Sequence, residues 1–261
     1  MNRALFIIVP LILAACGAAP RGAAPSSPQI TVTSSNFTDA DPHPWEGKTP
    51  ARYAVHGIDL SRFQTAVDWP TARANGVNFA FIKATEGGDL VDPLFQTHWQ
   101  GAAAAGVMRG AYHFFYHCRP AAEQARWFIK HVPKTPGALP PVLDMEWTPT
   151  SPTCTLRRDG ETIRAEARIF LDLITRHYGQ RPMIYTTVDF YEDTELWRLS
   201  GVEFWLRSTA AHPDDQYQGQ DWSFWQYTST GIVPGIAGRV DINVFAGSKA
   251  TWEAWIAGRS G

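Results

Sequence analysis

The chain has 261 residues, of which 44% are hydrophobic, and its formal net charge is −2 with no basic run. This length and apolar content suffice for a large core in one or two domains, and barrels of roughly 250 residues often form a single domain. The charge balance argues against nucleic acid as a partner.

The N-terminus carries the pattern of an export signal. Arg3 precedes an apolar stretch, 4–15, that is too short to span a bilayer comfortably. The run Leu-Ala-Ala-Cys ending at Cys16 resembles a bacterial lipobox, in which cleavage leaves a lipid-modified cysteine; cleavage beside an incidental cysteine is the alternative. We therefore expect residues 1–16 to be a lipoprotein signal peptide. We also expect the protein to be exported and anchored through Cys16 to a bacterial membrane of the cell envelope.

Residues 17–50 are rich in Ala, Pro, Ser and Gly, which predicts a flexible linker outside the fold. The folded domain is expected to occupy residues 51–261. Within it, eight short apolar runs are candidate strands, and their near-continuous hydrophobicity is typical of strands buried on both faces. They are YAVHGID, VNFAFIKA, VMRGAYHFF, LPPVLDME, PMIYTT, VEFWLR, SFWQYT and GRVDIN.

Helix-like stretches follow the second, third and fourth strands. Pro120 stands at the start of one of them, and Asp159 is placed to cap another, which has an apolar stripe at helical spacing. The later connections contain Pro and Gly and little helical pattern. The sequence therefore predicts an α/β fold: an irregular eight-stranded β/α (TIM-like) barrel with missing helices in the second half. An open doubly wound sheet is the competing architecture, but no glycine-rich phosphate loop follows the first strand.

Most of these strands are apolar until their last residues, where polar side chains appear. In such a barrel the carboxyl ends of the strands face the active site, so these side chains should converge on one rim. They are Asp59, Lys83 with Glu86, His113, Asp144 with Glu146, Tyr185, Arg207, Gln226 and Asp241.

The closest pair on one strand is Asp144 and Glu146. Residues i and i+2 of a strand point to the same face, about 6.5–7 Å apart along the backbone. Two close carboxylates resist simultaneous ionisation, so one can hold a proton at neutral pH while the other stays charged. Glycoside hydrolysis needs that division of roles. A structural pair, salt-bridged to Lys83 or Arg207, is the alternative.

The remaining cysteines, Cys118 and Cys154, follow strands that should be neighbours. An even pair in an exported chain suggests one disulfide, and two free thiols are the alternative. No His, Cys or Asp cluster has zinc spacing; His113 and His117 are four residues apart, but in a predicted strand and loop. We expect neither a metal nor a cofactor.

Six segments together resemble the glycoside hydrolase family 25 lysozymes, the Chalaropsis type of muramidase. They are HGIDLSRFQ, FAFIKATEGGDLVD, GAYHFF, PVLDMEW, IYTT and FWQYTSTGIVPGIAGRVDINVF. The resemblance runs from about residue 56 to 245 and implies an irregular eight-stranded barrel. It implies hydrolysis of the β-1,4 bond between N-acetylmuramic acid and N-acetylglucosamine, with peptidoglycan glycan strands as the partner.

The resemblance also implies roles for individual residues. Glu146 would be the general acid and Asp144 would stabilise the reaction centre, while Asp59 and Asp241 complete the acidic floor. Lys83 would order these carboxylates. Three aromatic residues would contact sugar: Tyr112, Tyr185 and Trp225. Because side chains alternate along a strand, Tyr112 faces outward if His113 faces inward.

One feature separates this chain from the usual family pattern, and two others separate it from rival functions. FWLRST places Arg207 where the family usually has a different residue, and this bears on substrate preference. A chitin-type glycosidase would carry a longer Asp-x-x-Asp-x-Asp-x-Glu run, whose first two Asp positions are Leu139 and Val142 here. A retired, glycan-binding barrel would lack one of the four acids. The resemblance also implies retention of configuration. We expect a monomeric enzyme with the substrate's acetamido group as nucleophile, and direct attack by a carboxylate is the alternative.

Overall fold

The computed structural model describes Met1, residues 31–217 and residues 219–259, and the fold is reported for these. The expected signal peptide, its lipidation site Cys16 and the linker up to residue 30 lie outside the described residues, apart from Met1. Across the described residues, no helix combines the length and apolarity that crossing a membrane requires.

Eight strands close into a barrel, with two short strands added at its edges. Neighbouring strands run parallel from β2 through β9, whereas β10 is antiparallel to both β9 and β2. The strands are β1 (Thr38–Asp39), β2 (His56–Leu60), β3 (Phe79–Glu86), β4 (Leu90–Val91), β5 (Met108–Phe114), β6 (Val142–Met145), β7 (Met183–Thr186), β8 (Glu203–Arg207), β9 (Phe224–Ile232) and β10 (Val240–Phe245).

The helices are unequal around the barrel, as the sequence predicts. Those that follow β3–β4, β5 and β6 are long, the helices after β7 and β8 are a turn or so, and a hairpin replaces the helix after β9. The helices are α1 (Trp69–Ala74), α2 (Phe95–Ala104), α3 (Ala121–His131), α4 (Gly160–Tyr178), α5 (Val188–Asp193), α6 (Pro213–Gln216) and α7 (Lys249–Ala257). The predicted barrel with missing helices in its second half is confirmed.

Helix α4 shows how local sequence sets these elements. Asp159 caps its start, where the carboxylate accepts a 2.9 Å hydrogen bond from the backbone N–H of Thr162. Gly179 ends it in the left-handed region at φ 72°. The predicted apolar stripe is buried against the barrel, so α4 covers the outside of β6 and the strands beside it.

The final strand departs from the predicted pattern. Asp241 is the second residue of β10 rather than the last residue of a parallel strand. β9 has nine residues and turns back through a hairpin, so β10 descends from the mouth. Asp241 still reaches the mouth, because it pairs directly with Asp59 near the carboxyl end of β2.

The predicted linker ends earlier than residue 50, because the compact unit already begins at Val32. The backbone N–H of Thr33 donates a 2.8 Å hydrogen bond to Asn78, and β1 pairs with β9. The ring of Trp45 packs edge-on against that of Trp225, with centroids 5.1 Å apart. Composition suggested a linker here, but this segment covers the outer face of the barrel and leaves a cavity of about 750 Å³ beneath it, lined by none of the predicted acids.

Aromatic side chains fill the lower half of the barrel lumen. Phe81 stacks on Trp205 with centroids 4.5 Å apart, and Phe79 contacts both Phe81 and Phe224. Trp252 of α7 closes the lower end against Phe79. Only the upper lumen is left for polar groups, so the polar site lies at one mouth above an apolar floor.

Candidate active site

Asp59 and Asp241 face each other across the β2–β10 pair, and amide groups hold Asp59 in place. One oxygen of the Asp59 carboxylate accepts 2.8 Å hydrogen bonds from the side-chain amides of both Gln226 and Asn243. Asn243 in turn accepts a 2.7 Å hydrogen bond from the indole N–H of Trp205. Asp59 is therefore oriented from two neighbouring strands.

This acidic pair holds a proton at neutral pH. Burial raises the pKa of Asp59 to about 6, against the lowering effect of its hydrogen bonds from Asn243 and Gln226. Burial and then the negative charge of Asp59 raise the pKa of Asp241 to about 8. Because the two side chains also hydrogen-bond to each other, the protonated Asp241 donates to the ionised Asp59.

Asp144 and Glu146 form the second pair, at the end of β6. Asp144 is 5% exposed, and its Oδ1 atom has no hydrogen-bond partner among the described residues. Burial and then the charge of Glu146 raise the pKa of Asp144 well above its usual range. Burial also raises the pKa of Glu146 to about 7, although Arg207 and Lys83 oppose the shift. The two acids are close enough to titrate as a unit.

Lys83 lies beside these acids with its charge already paired. Its ammonium group donates a 2.6 Å hydrogen bond to Glu86 and lies 4.4 Å from the ring centre of Phe114. Tyr116 donates a further hydrogen bond to Glu86. Burial of Glu86 works to raise its pKa, but the hydrogen bonds from Lys83 and Tyr116 outweigh burial and leave that pKa low.

Two tyrosines face the lumen beneath the acids. Tyr185 donates a 2.9 Å hydrogen bond to the side chain of Gln226, and its ring lies 4.5 Å from that of Trp205. Tyr112 lies 6.3 Å from Trp205, and its pKa is raised by burial and then by the charge of Asp59. Both tyrosines therefore line the bottom of the mouth.

The predictions for His113 and Trp225 are wrong. His113 is fully buried on the outer face of β5, where it hydrogen-bonds Thr85 and Gln124 and stacks on Phe170. It points outward because Tyr112 occupies the inward position. Trp225 is also fully buried on the outer side, since Gln226 takes the inward position on β9. Neither side chain can reach a sugar in the mouth.

The predicted disulfide is present and lies near the general-acid candidate. Cys118 and Cys154 are bonded, with Cα atoms 5.7 Å apart, and they join the loops that follow β5 and β6. His117, next to this bond, makes a 3.0 Å hydrogen bond with the backbone carbonyl of Glu146. The two loops are thus tied to the backbone of Glu146. In the described part of the chain, no cluster of three or more His, Cys, Asp and Glu residues could hold a metal ion.

Sequence reasoning assigned no role to Asn243 or Trp205. Asn243 is fully buried and bridges Trp205 to Asp59. A usable signal was present, because Asn243 lies two residues after Asp241 and therefore shares its face of β10. No comparable signal marks Trp205, whose immediate neighbours Phe204 and Leu206 are equally apolar.

Comparisons with known proteins agree with this geometry. The sequence profile described as "Glycosyl hydrolases family 25" matches residues 58–236. The chain is 36% identical over 216 residues to the uncharacterized protein YegX of Escherichia coli K12, covering 81% of this chain and 76% of YegX. It is 33% identical over 211 residues to lysozyme M1 of Streptomyces globisporus, covering 75% and 69% respectively.

Solved structures show the same fold. A family 25 glycosyl hydrolase from Bacillus anthracis superposes with a TM-score of 0.73 at 31% identity, covering 83% of this chain and 98% of that one. A bacterial lysozyme from Streptomyces coelicolor gives 0.69 at 30% identity, covering 79% and 98%. On this sequence match and this shared barrel, the chain belongs to glycosyl hydrolase family 25 and is, as a member, a glycoside hydrolase.

Proposed function

We propose that this protein is a peptidoglycan hydrolase, an N-acetylmuramidase that cleaves the β-1,4 bond between N-acetylmuramic acid and N-acetylglucosamine. The observation that carries the proposal is the gathering of four acids at one mouth, with the pKa of Glu146 raised to about 7. The names of two similar proteins support it: lysozyme M1, and the N,O-diacetylmuramidase of Chalaropsis, 33% identical over 144 residues.

Glu146 is placed to act as the general acid. Its raised pKa keeps a large fraction protonated near neutral pH, as protonation of a glycosidic oxygen requires. The proton passes to the leaving oxygen as the bond from the anomeric carbon to that oxygen breaks. Glu146, now ionised, can then take a proton from the water that attacks the anomeric carbon.

Asp144 is placed to stabilise a substrate-assisted step. The acetamido oxygen of the muramic acid attacks the anomeric carbon and forms a cyclic oxazolinium ion, which water then opens with retention of configuration. Before this step the proton shared by the two acids lies on Glu146 and Asp144 is ionised. The positive charge that develops as Glu146 gives up that proton is then stabilised by the Asp144 carboxylate. A covalent sugar trapped on Asp144 would contradict this route.

Digestion of purified peptidoglycan, followed by mass spectrometry of the fragments, tests the reaction. Fragments with muramic acid at the reducing end are expected. Fragments that end in reducing N-acetylglucosamine would identify cleavage of the other glycosidic bond and reject the proposal. Faster turnover of chitin than of peptidoglycan would favour a chitin-type glycosidase, and binding without turnover would favour a glycan-binding protein.

We further propose that Cys16 is lipidated and tethers the exported enzyme to a bacterial membrane of the cell envelope. The apolar stretch before Cys16 supports this, as does the disulfide, since disulfides persist in oxidising compartments. Cys16→Ser should release the protein from the membrane fraction and abolish labelling by a fatty acid analogue. Ser26→Ala, in the same segment, is the control. A Cys16→Ser protein that stays membrane-bound would contradict the tether.

A further inference from the structure

Arg207 lies at the mouth, at the end of β8. It shares a strand face with Trp205, whose indole N–H reaches into the lumen to Asn243. Arg207 lies two residues after Trp205, nearer the mouth. It pairs in register with Gln226, which contacts Asp59. Its side chain is half-buried, and its charge lowers the pKa of each of three acids: Asp59, Glu146 and Asp241.

The two cations of the mouth differ in how they are engaged. Lys83 is held by Glu86 at 2.6 Å. The guanidinium of Arg207 makes no hydrogen bond and no ion pair within 4.0 Å to any residue in the ranges 31–217 and 219–259. Only its backbone is held, by a 2.7 Å hydrogen bond from the hydroxyl of Tyr217 to its carbonyl. Arg207 thus presents five uncommitted donors from a fixed strand end.

The nearby acids do not neutralise this charge. Asp241 has a pKa of about 8 and Glu146 a pKa of about 7, so near neutral pH the first is largely protonated and the second partly so. Asp59 is already saturated on one oxygen by two amide donors. A half-buried guanidinium without an acceptor is unfavourable, and a planar anion supplied by a ligand would relieve that cost.

We propose that Arg207 binds a carboxylate of the substrate, on the muramic acid unit that occupies the mouth. The inference rests on the proposed muramidase function. N-acetylmuramic acid differs from N-acetylglucosamine by its lactyl ether, whose carboxyl group is free in a bare glycan strand and amide-linked where a stem peptide is attached. Stem peptides carry carboxylates of their own, so the same chemistry has two sources.

Whether Arg207 binds the lactyl carboxylate or a stem-peptide carboxylate determines which reaction must come before this enzyme's own. If the lactyl carboxylate is bound, the preferred substrate is a strand from which stem peptides have been removed. A reaction that hydrolyses the amide between the lactyl group and the peptide must then supply it. If a peptide carboxylate is bound, the enzyme acts on strands that still carry their peptides.

The test compares three soluble glycans of equal length: one with free lactyl carboxylates, one with those groups capped as methylamides, and one with stem peptides. Arg207→Gln should raise the KM for a carboxylate-bearing glycan by about ten- to a hundredfold, the effect of losing a charge-assisted hydrogen bond. It should leave the KM for the capped glycan within about twofold. Arg207→Lys should recover part of the loss, because the charge remains without the fork geometry.

Arg176→Gln, on the exposed face of α4, controls for loss of one positive charge. Circular dichroism and melting temperature check that each variant is folded. A loss confined to the free-lactyl glycan identifies the lactyl group, and a loss confined to the peptide-bearing glycan identifies the peptide.

Equal losses on all three glycans, accompanied by a displaced pH profile, would show that Arg207 only sets the pKa of Glu146 and would overturn the inference. Unchanged kinetics on all three would overturn it as well. Failure of the wild-type enzyme to cleave any of them would instead reject the muramidase proposal.

Discussion

The two acidic pairs of the mouth occupy the same low-dielectric environment but differ in their hydrogen-bond donors. Asp59 receives two amide hydrogen bonds, which limit the rise of its pKa on burial to about 6. Asp144 has a buried oxygen without a partner among the described residues, and its pKa is raised well above the usual range. When two acids are equally buried, as Asp59 and Asp144 are, the number of hydrogen-bond donors therefore decides which of them is ionised.

On the proposed mechanism, this difference separates a positioning pair, Asp59 and Asp241, from a reacting pair, Asp144 and Glu146. Asp59 is joined to strands β8 and β9 through amides and an indole, so its geometry is fixed before substrate arrives. Asp144 and Glu146 receive no such donors from the described residues, so they can exchange a proton and accept contacts from a sugar. The four predictions below test this separation.

Glu146→Gln should have the largest effect. Glutamine keeps the size of the side chain but cannot donate an acidic proton, so kcat on peptidoglycan should fall by about a thousandfold. Turnover is measured by release of reducing ends. Glu161→Gln, on the exposed first turn of α4, makes the same chemical change far from the mouth and should keep wild-type kcat. Wild-type turnover by Glu146→Gln would remove the assignment of the general acid.

Asp144→Asn should lower kcat by about a hundredfold, because the oxazolinium ion loses a negative neighbour. It should also raise the melting temperature at pH 8. Since the folded-state pKa of Asp144 lies above its unfolded value, wild-type stability falls as pH rises above about 4, and the variant lacks this loss.

The two melting temperatures should therefore converge near pH 4. Asp172→Asn, on the exposed face of α4, should show neither effect. An Asp144→Asn protein with the same stability difference at pH 4 and pH 8 would contradict the linkage.

The barrel and its acids were predictable because apolar runs and strand ends are local features. The inward or outward direction of a side chain was harder to predict. In GAYHFF both faces of the strand are buried, so hydrophobicity does not distinguish Tyr112 from His113. The irregular register between Lys83 and Thr85 also turns Thr85 outward onto His113, which no local pattern indicates.

Long-range pairing accounts for the other differences. Residues 32–50 have the composition of a linker, yet they pack on the barrel because β9 offers backbone groups to Thr38 and Asp39 and the outer aromatic layer accepts Trp45. The reversal of β10 likewise depends on β9 passing the rim before it turns. The first fact depends on partners nearly 200 residues away in the sequence, and β10 in turn pairs with β2, more than 180 residues before it.

Asn243→Leu should make Asp59 resemble Asp144. It removes a donor to Asp59 and the acceptor of Trp205, so kcat should fall by about tenfold and stability by about 1–3 kcal/mol. The pKa of Asp59 should rise, so the acidic limb of the kcat/KM profile should move to higher pH. An unmoved acidic limb in a folded variant would show that Asn243 does not hold Asp59 in its ionised form.

Tyr185→Phe should give the smallest effect, because it acts on Asp59 only through Gln226. Loss of the hydroxyl leaves the side-chain oxygen of Gln226 without its 2.9 Å donor, so the amide can rotate away from Asp59. We expect a two- to fivefold loss in kcat, of about 0.5–1 kcal/mol. Tyr178→Phe is a matched control, since that buried hydroxyl donates a 2.9 Å hydrogen bond to a backbone carbonyl away from the mouth.

Both tyrosine variants should lose similar stability, measured by urea unfolding, while only Tyr185→Phe changes kcat. If both leave kcat unchanged, the relay from Tyr185 through Gln226 serves folding alone. The residues that hold Asp59 in place for catalysis would then be limited to the amides that contact it directly. If both variants lower kcat equally, the effect comes from a general loss of rigidity in the barrel. The result would then give no evidence that Tyr185 helps to position Asp59.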